Sequence, residues 1–194
     1  MRVLVVVLIM VSILISGCTG VEKETLDSSP QIDDTLNDSE LNDADVQDMI
    51  EMNVSSSAFE HNGMIPQIYT CDGDNINPPL EFGNIPEETR SLAVIVDDPD
   101  APRGTFTHWV VWDIEPGLNI EENSVPGIEG LNDIGKANYV GPCPPSGTHR
   151  YFFTVYALDT QLDIEAGASR QDLEDIMEGH ILAKGQLMGT YSRK

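Results

Sequence analysis

The chain has 194 residues, with 33 Asp and Glu against 10 Lys and Arg and a formal net charge of −23. A surface this acidic excludes nucleic-acid binding, which needs a basic footprint, and docking on an anionic lipid surface by charge alone. The three cysteines show no C-x-x-C spacing, so a zinc ribbon is unsupported.

At the N-terminus, Arg2 precedes an apolar run, Val3 to Ile15, interrupted only by Ser12. The run is shorter than the roughly 20 residues that span a bilayer and fits the h-region of a signal peptide. The following Ile15-Ser16-Gly17-Cys18 resembles a lipobox, so residues 1–18 are expected to be a cleaved signal with Cys18 lipidated. An uncleaved N-terminal anchor is the alternative. Both place the rest of the chain outside the cytoplasm, tethered to a membrane. Residues 19–54 carry eleven acids against Lys23 alone, and no aromatic residue. Such a segment cannot bury enough apolar surface to offset its ordering entropy, and self-repulsion extends it. It is expected to be a disordered stalk, with a weak helix near 40–52 from the spacing of Leu41, Val46, Met49 and Ile50. Asn37 and Asn53 head glycosylation sequons.

The remaining domain, 55–194, holds all five Phe, both Trp and all five Tyr. Leu92 to Val96 is a β-branched run that ends in acid and proline, a buried strand feeding a loop. The loop Asp97 to Thr107 carries Pro99, Pro102 and Gly104, and His108 to Ile114 reads as the next strand. His149 to Asp159 is a third strand. Tyr151, Phe153, Val155 and Ala157 lie on one of its faces and Arg150, Phe152, Thr154 and Tyr156 on the other. Bulk on both faces predicts a central strand. Ser169 and Asp172 form a capping-box pair ahead of a helical stripe, Leu173, Ile176 and Met177, and Gly179 ends or kinks that helix. Residues 183–193 read as the last strand. Many strands and one late helix predict a mostly β, antiparallel domain with few peripheral helices.

Two strand-to-loop junctions concentrate the chemistry: Asp98-Pro-Asp-Ala-Pro with His108, and Gly141-Pro-Cys-Pro-Pro-Ser-Gly-Thr-His-Arg-Tyr151. Prolines restrict these loops and glycines permit close approach, a means of building a small polar pocket on rigid strands. Asp98, His108 and His149 match a two-His, one-carboxylate metal set in residue type. No further carboxylates accompany them at ligand spacing, so no metal or other cofactor is expected. Cys143, six residues before His149, has the type of a thiol nucleophile. Its flanking prolines and an available partner, Cys71, favour a disulfide in an oxidising compartment instead. There is no G-x-S-x-G elbow and no P-loop, and no catalytic residue is assigned.

The segments "DDPDAP", "THW" and "GPCPPSGTHRY" resemble the signatures of the phosphatidylethanolamine-binding protein family, which includes the Raf kinase inhibitor proteins. "YTCDGDNINPPLEF" and "GHILAKGQLMGTYSR" resemble its bacterial and archaeal branch. The resemblance spans about residues 56–194. It implies a β-sandwich-like fold around a large antiparallel sheet, and a small pocket for phosphate, acetate or a phosphorylated headgroup. By motif position the ligand-binding residues are Asp98, His108, Pro144, His149 and Tyr151. Cys143 replaces a glycine of the animal proteins' loop. Their long C-terminal helix has no counterpart after Lys194, a departure from their lipid binding and Raf-type regulation.

An anion site containing Asp98 needs a countercharge. Protonated His108 and His149 would supply it, or a ligand bringing its own proton would donate to Asp98. Binding is then expected to weaken as pH rises past the histidine pKa. Asp100 is read as bracing the loop, with Arg150 as its partner. Two functions from different classes follow. One is a membrane-tethered, non-enzymatic binding protein for a small anion. The other is an inhibitor of a protease or kinase-like partner, acting through the loops that rim the pocket.

Overall fold

The structure, a computed structural model, describes residues 50–193. The expected signal, Cys18, Asn37 and most of the expected stalk lie outside the described residues. In chain order the elements are β1 (Ile50–Glu51), β2 (Asn53–Ser55), a 3-10 turn (Gln67–Tyr69), β3 (Glu81–Gly83), β4 (Ser91–Asp98), β5 (Phe106–Ile114), β6 (Ile128–Glu129), β7 (Thr148–Leu158), α1 (Arg170–Met177) and β8 (Ile181–Ser192). Six strands form one sheet in the order β1-β8-β7-β4-β5-β6, and β2 and β3 form a second, two-stranded sheet. All pairings are antiparallel except β1 against β8. The domain is mostly β, as its sequence pattern predicts.

The long strands are buried on both faces, which explains why β4 reads as a continuous apolar run rather than an alternation. On one face, Val94, Val96, Trp109, Tyr151, Phe153 and Val155 belong to the larger core cluster, which is capped by Met52, Phe59 and Ile65 with Val54 and Phe82 of the small sheet against it. On the other face Ala93, Ile95, Val110 and Trp112 pack beneath Leu173 and Met177 of α1. The strand β7 is central, between β4 and β8. Ser169 caps α1 with its side chain on the Asp172 amide, and Asp172 answers on the Ser169 amide. Beyond the helix Gly179 takes φ +81°, the left-handed conformation that glycine accommodates best.

The folded domain begins earlier than residue 55. Ile50–Glu51 is a strand beside β8 rather than the end of a helix, and Asn53–Ser55 pairs with β3. The two-residue alternation Ile50, Met52, Val54 prevails over the looser helical spacing, because Met52 becomes buried at 2 % exposure. Gly185 of β8 makes this possible, since a Cβ there would overlap the Met52 carbonyl oxygen.

Candidate functional site

β4 and β7 deliver the centre of the site. Alternation along β4 sends Asp97 toward α1 and Asp98 toward the larger core. Asp98 is 4 % exposed and accepts a hydrogen bond on each oxygen. Oδ2 accepts from His149 Nδ1 at 2.7 Å, and Oδ1 accepts from the Asp100 amide at 2.9 Å. The second contact is an Asx-type turn that starts the proline loop, so Asp98 both shapes the loop and holds His149.

His108 reaches the same face through an irregularity. The β4–β5 register pairs Val96 with Trp109 but Asp97 with Thr107, which leaves His108 as the extra residue of a β-bulge. Strict alternation would separate it from Trp109; the bulge re-aims it. Its ring meets Tyr151 edge-on at 5.3 Å and Phe106 at 4.7 Å. Nδ1 donates to the Val140 carbonyl at 2.6 Å, because a carbonyl only accepts. Burial holds the imidazole below its ordinary pKa, against weaker pulls upward from the Val140 contact and from Asp98. The lowered pKa favours the neutral imidazole, with Nδ1–H as the donor to Val140. In the domain without ligand, desolvation of the cation outweighs the nearby carboxylate.

Tyr151 is fully buried, and its hydroxyl makes no hydrogen bond of good geometry, although the Asp98 carboxylate and the Cys143 amide stand near enough to act on it. The Asp98 carboxylate and the Cys143 amide lie beside it, and burial followed by the Asp98 charge pushes the phenol strongly up. An orphaned hydroxyl inside a core is costly, on the order of 1–3 kcal/mol. Here it stands among an acceptor carboxylate, an imidazole and a backbone donor.

The wall opposite is the loop Gly141–Gly147. Pro144 is buried within it while Cys143 is exposed. Cys143 is disulfide-bonded to Cys71 across 72 residues of sequence. The Cys71 amide donates to the Pro142 carbonyl at 3.1 Å, and the Gly141 amide to Asn75 Oδ1 at 2.8 Å. A Cβ on Gly141 would overlap the Tyr69 carbonyl, so only glycine lets the loop lie this close to the 69–75 turn. The chain thus spends one covalent bond and several hydrogen bonds on fixing this wall.

Asp100 and Arg150 meet as a bidentate pair. Arg150 Nη2 donates to Oδ1 at 2.7 Å and Nε to Oδ2 at 2.9 Å, and the Arg150 amide adds a third bond to Oδ2 at 3.0 Å. The guanidinium contact holds Asp100 down at about 2. The pair ties the proline loop to β7 at the rim, outside the buried group.

The third aspartate has a partner that sequence reasoning missed. Asp97 accepts from Arg170 Nη1 of α1 at 2.8 Å. Burial lifts its pKa to about 6 although Arg170 pulls the other way. The signal was the alternation of β4, which sends neighbouring acids to opposite faces. His61 and His180 lie elsewhere: His61 accepts from the Met188 amide at 3.3 Å, and His180 Nδ1 pairs with Asp159 at 2.8 Å. Among the described residues, no group of three His, Cys, Asp or Glu converges as metal ligands.

Residues 55–192 match the family model described as phosphatidylethanolamine-binding protein. The chain is 51% identical over 150 residues to a UPF0098 protein of Methanothermobacter thermautotrophicus, covering 73% of this chain and 99% of that one. It is 44% identical over 149 residues to a UPF0098 protein of Chlamydia muridarum, with 73% and 99% covered. Among solved structures, it resembles a phosphatidylethanolamine-binding protein homologue from Chlamydia trachomatis at TM-score 0.72 and 41% identity, covering 74% of this chain and 99% of that one. It also resembles YbcL of E. coli, described as a member of the mammalian PEBP family, at TM-score 0.69 and 27% identity, covering 75% and 100%. A match that runs through both chemistry-bearing loops and all eight strands but β1 and part of β2 leaves one assignment: the chain belongs to the phosphatidylethanolamine-binding protein family, in the bacterial and archaeal branch that contains the UPF0098 proteins and YbcL.

Proposed function

We propose that this domain is a binding protein, not an enzyme, and that it captures a small oxyanion carrying at least one proton, such as phosphate or a phosphomonoester. The observation that carries the reading is the buried Tyr151 hydroxyl without a hydrogen bond of good geometry, set between Asp98, the Cys143 amide and His108. The Cys143 amide and Tyr151 are donors for anionic oxygens. Asp98 and His108 Nε2 are acceptors, and they suit a ligand O–H. The ligand's own proton, rather than a charged His108, then reconciles an anion with the carboxylate. Pro144 closes the wall and adds no donor of its own.

An extracytoplasmic position, tethered through the N-terminal segment and Cys18, is part of the same proposal. What supports it is the Cys71–Cys143 bond, a linkage that persists in oxidising compartments. Inhibition of a protease or kinase-like partner remains the other function implied by the family.

Discrimination between phosphate and sulfate tests the site chemistry. Sulfate has the same shape but no proton to donate near neutral pH. It faces Asp98 and His108 with acceptors against acceptors, and is expected to bind at least about tenfold more weakly. Calorimetric titration with each anion measures this, and equal affinities would refute the proton-bearing ligand.

A further inference from the structure

We infer that the Cys71–Cys143 disulfide is a redox handle on the anion site. While closed it positions the Cys143 amide, and a dithiol reductant that opens it lowers the site's affinity. The inference rests on the anion-site reading above. Cys143 faces two ways. Its amide stands beside the Tyr151 hydroxyl, whereas the residue as a whole is exposed and its partner Cys71 half-buried. The covalent bond that sets the wall is thus reachable from solvent without unfolding.

The two cysteines sit on unequal supports. Cys71 belongs to a braced turn. The Thr70 and Gly73 amides donate to the Gln67 and Thr70 carbonyls, and the Asn75 amide to that of Ile68, each at 3.0 Å. The adjoining Asp72 carboxylate accepts from the Tyr191 hydroxyl at 2.9 Å and pairs with Arg193 at 3.0 Å. On the other side, hydrogen bonds fix the wall only as far as Pro142, whose carbonyl accepts from the Cys71 amide. Among the described residues, no hydrogen bond of good geometry ties Cys143 to Gly147 to another element. Pro144 and Pro145 have no N–H to give. At the far end Gly147 takes φ +71°, which glycine adopts freely. Burial of Pro144 and the disulfide are what hold Cys143 in place. Once the disulfide opens, the proline-stiffened segment moves as a unit between Pro142 and Gly147, and the Cys143 amide moves with it.

The step is thiol–disulfide exchange. A thiolate of the reductant attacks the exposed Cys143 sulfur, a mixed disulfide forms, and the Cys71 sulfur leaves as a thiolate. The reductant's second thiolate then displaces Cys143. The two protein thiolates take up the protons that the dithiol has lost, and the dithiol is oxidised to a disulfide as the protein's is reduced.

The test is calorimetric titration of the full chain with inorganic phosphate, before and after reduction with dithiothreitol, at a temperature below both melting transitions. Alkylation and mass measurement report the state of Cys71 and Cys143. Phosphate is expected to bind about tenfold more weakly to the reduced protein, the scale of one hydrogen bond to an anion, and reoxidation is expected to restore it. The ring resonances of Tyr151 should shift on reduction while those of Leu173, on the opposite face of the sheet, stay fixed. Equal affinity in the two redox states would overturn the inference and leave the anion site standing. A reduced chain that loses its fold would overturn it too, because the hold described is local. Absence of binding by the oxidised protein would overturn the anion-site reading and this inference with it.

Discussion

The run Asp97-Asp98-Pro99-Asp100 places three like residues in three different situations. Asp97 is clamped by α1, Asp98 is buried against His149, and Asp100 lies at the surface in the fork of Arg150. Their substitution should separate accordingly. Asp100→Asn keeps an acceptor but loses the charge of an exposed pair, for which surface ion pairs predict a loss of about 0–1 kcal/mol. It should slacken the loop, leave phosphate affinity within about twofold, and be read by thermal melting and titration together. Tyr151→Phe should do the reverse. Removing a hydroxyl that makes no hydrogen bond of good geometry leaves stability unchanged or raises it by about 1 kcal/mol, while phosphate binding falls. His108 adds a pH term. Its folded pKa is depressed, so below the unfolded value of about 6.5 the unfolded chain binds more protons than the native one. Native stability is then lost as pH falls below that value. His108→Gln should flatten that limb of a melting-temperature profile, and an unchanged slope would contradict the neutral, buried assignment. Residue identities at the site were legible in the sequence through the family motifs. The protonation state of His108 was not, because it depends on how much water the fold removes from the ring.

Elements explain what pattern reading could and could not reach. The strands at 91–98, 106–114 and 148–158 announce themselves through β-branched and aromatic runs, and the Ser169–Asp172 box through local chemistry that needs no tertiary context. The bulge at His108 was invisible, since a register exists only between two strands. The first strand was hidden for a related reason: Ile50, Met52 and Val54 follow an acidic stretch and gain meaning only against Gly185. The docking of α1 yields a prediction at this scale. Asp97, with a folded pKa raised to about 6, binds a proton in the native state that the unfolded chain releases near 4. Its contribution is fully present below the unfolded value and is lost as pH rises through about 6, an effect on the order of 2–3 kcal/mol. The stability difference between the parent and Asp97→Asn should therefore change between pH 4 and 6.5 and be level above. A difference that is constant across that range would mean the carboxylate is solvated instead.

At the scale of the whole molecule, an anion must approach a chain whose formal charge is −23. The long-range field opposes capture, and only the short-range donors of the site favour it. Screening shortens the reach of that field to about 8 Å at physiological ionic strength, so association with phosphate should quicken as an inert salt is added, opposite to electrostatically steered binding. The Cys71–Cys143 bond is the other global constraint. Closing a loop of 72 residues stabilises by about 4 kcal/mol in the chain-entropy view, and Cys71→Ser with Cys143→Ser should lower the melting temperature accordingly. The fold class and both loops were readable from the sequence; the way they close on one buried hydroxyl required the packed sheet. The most direct test is a pair of phosphate titrations at neutral pH, on the parent protein and on Tyr151→Phe, with melting temperature recorded for both. The site described here predicts that the parent binds one phosphate per chain and that the variant binds at least about tenfold more weakly while melting no lower. Undiminished binding by a well-folded Tyr151→Phe protein would contradict it.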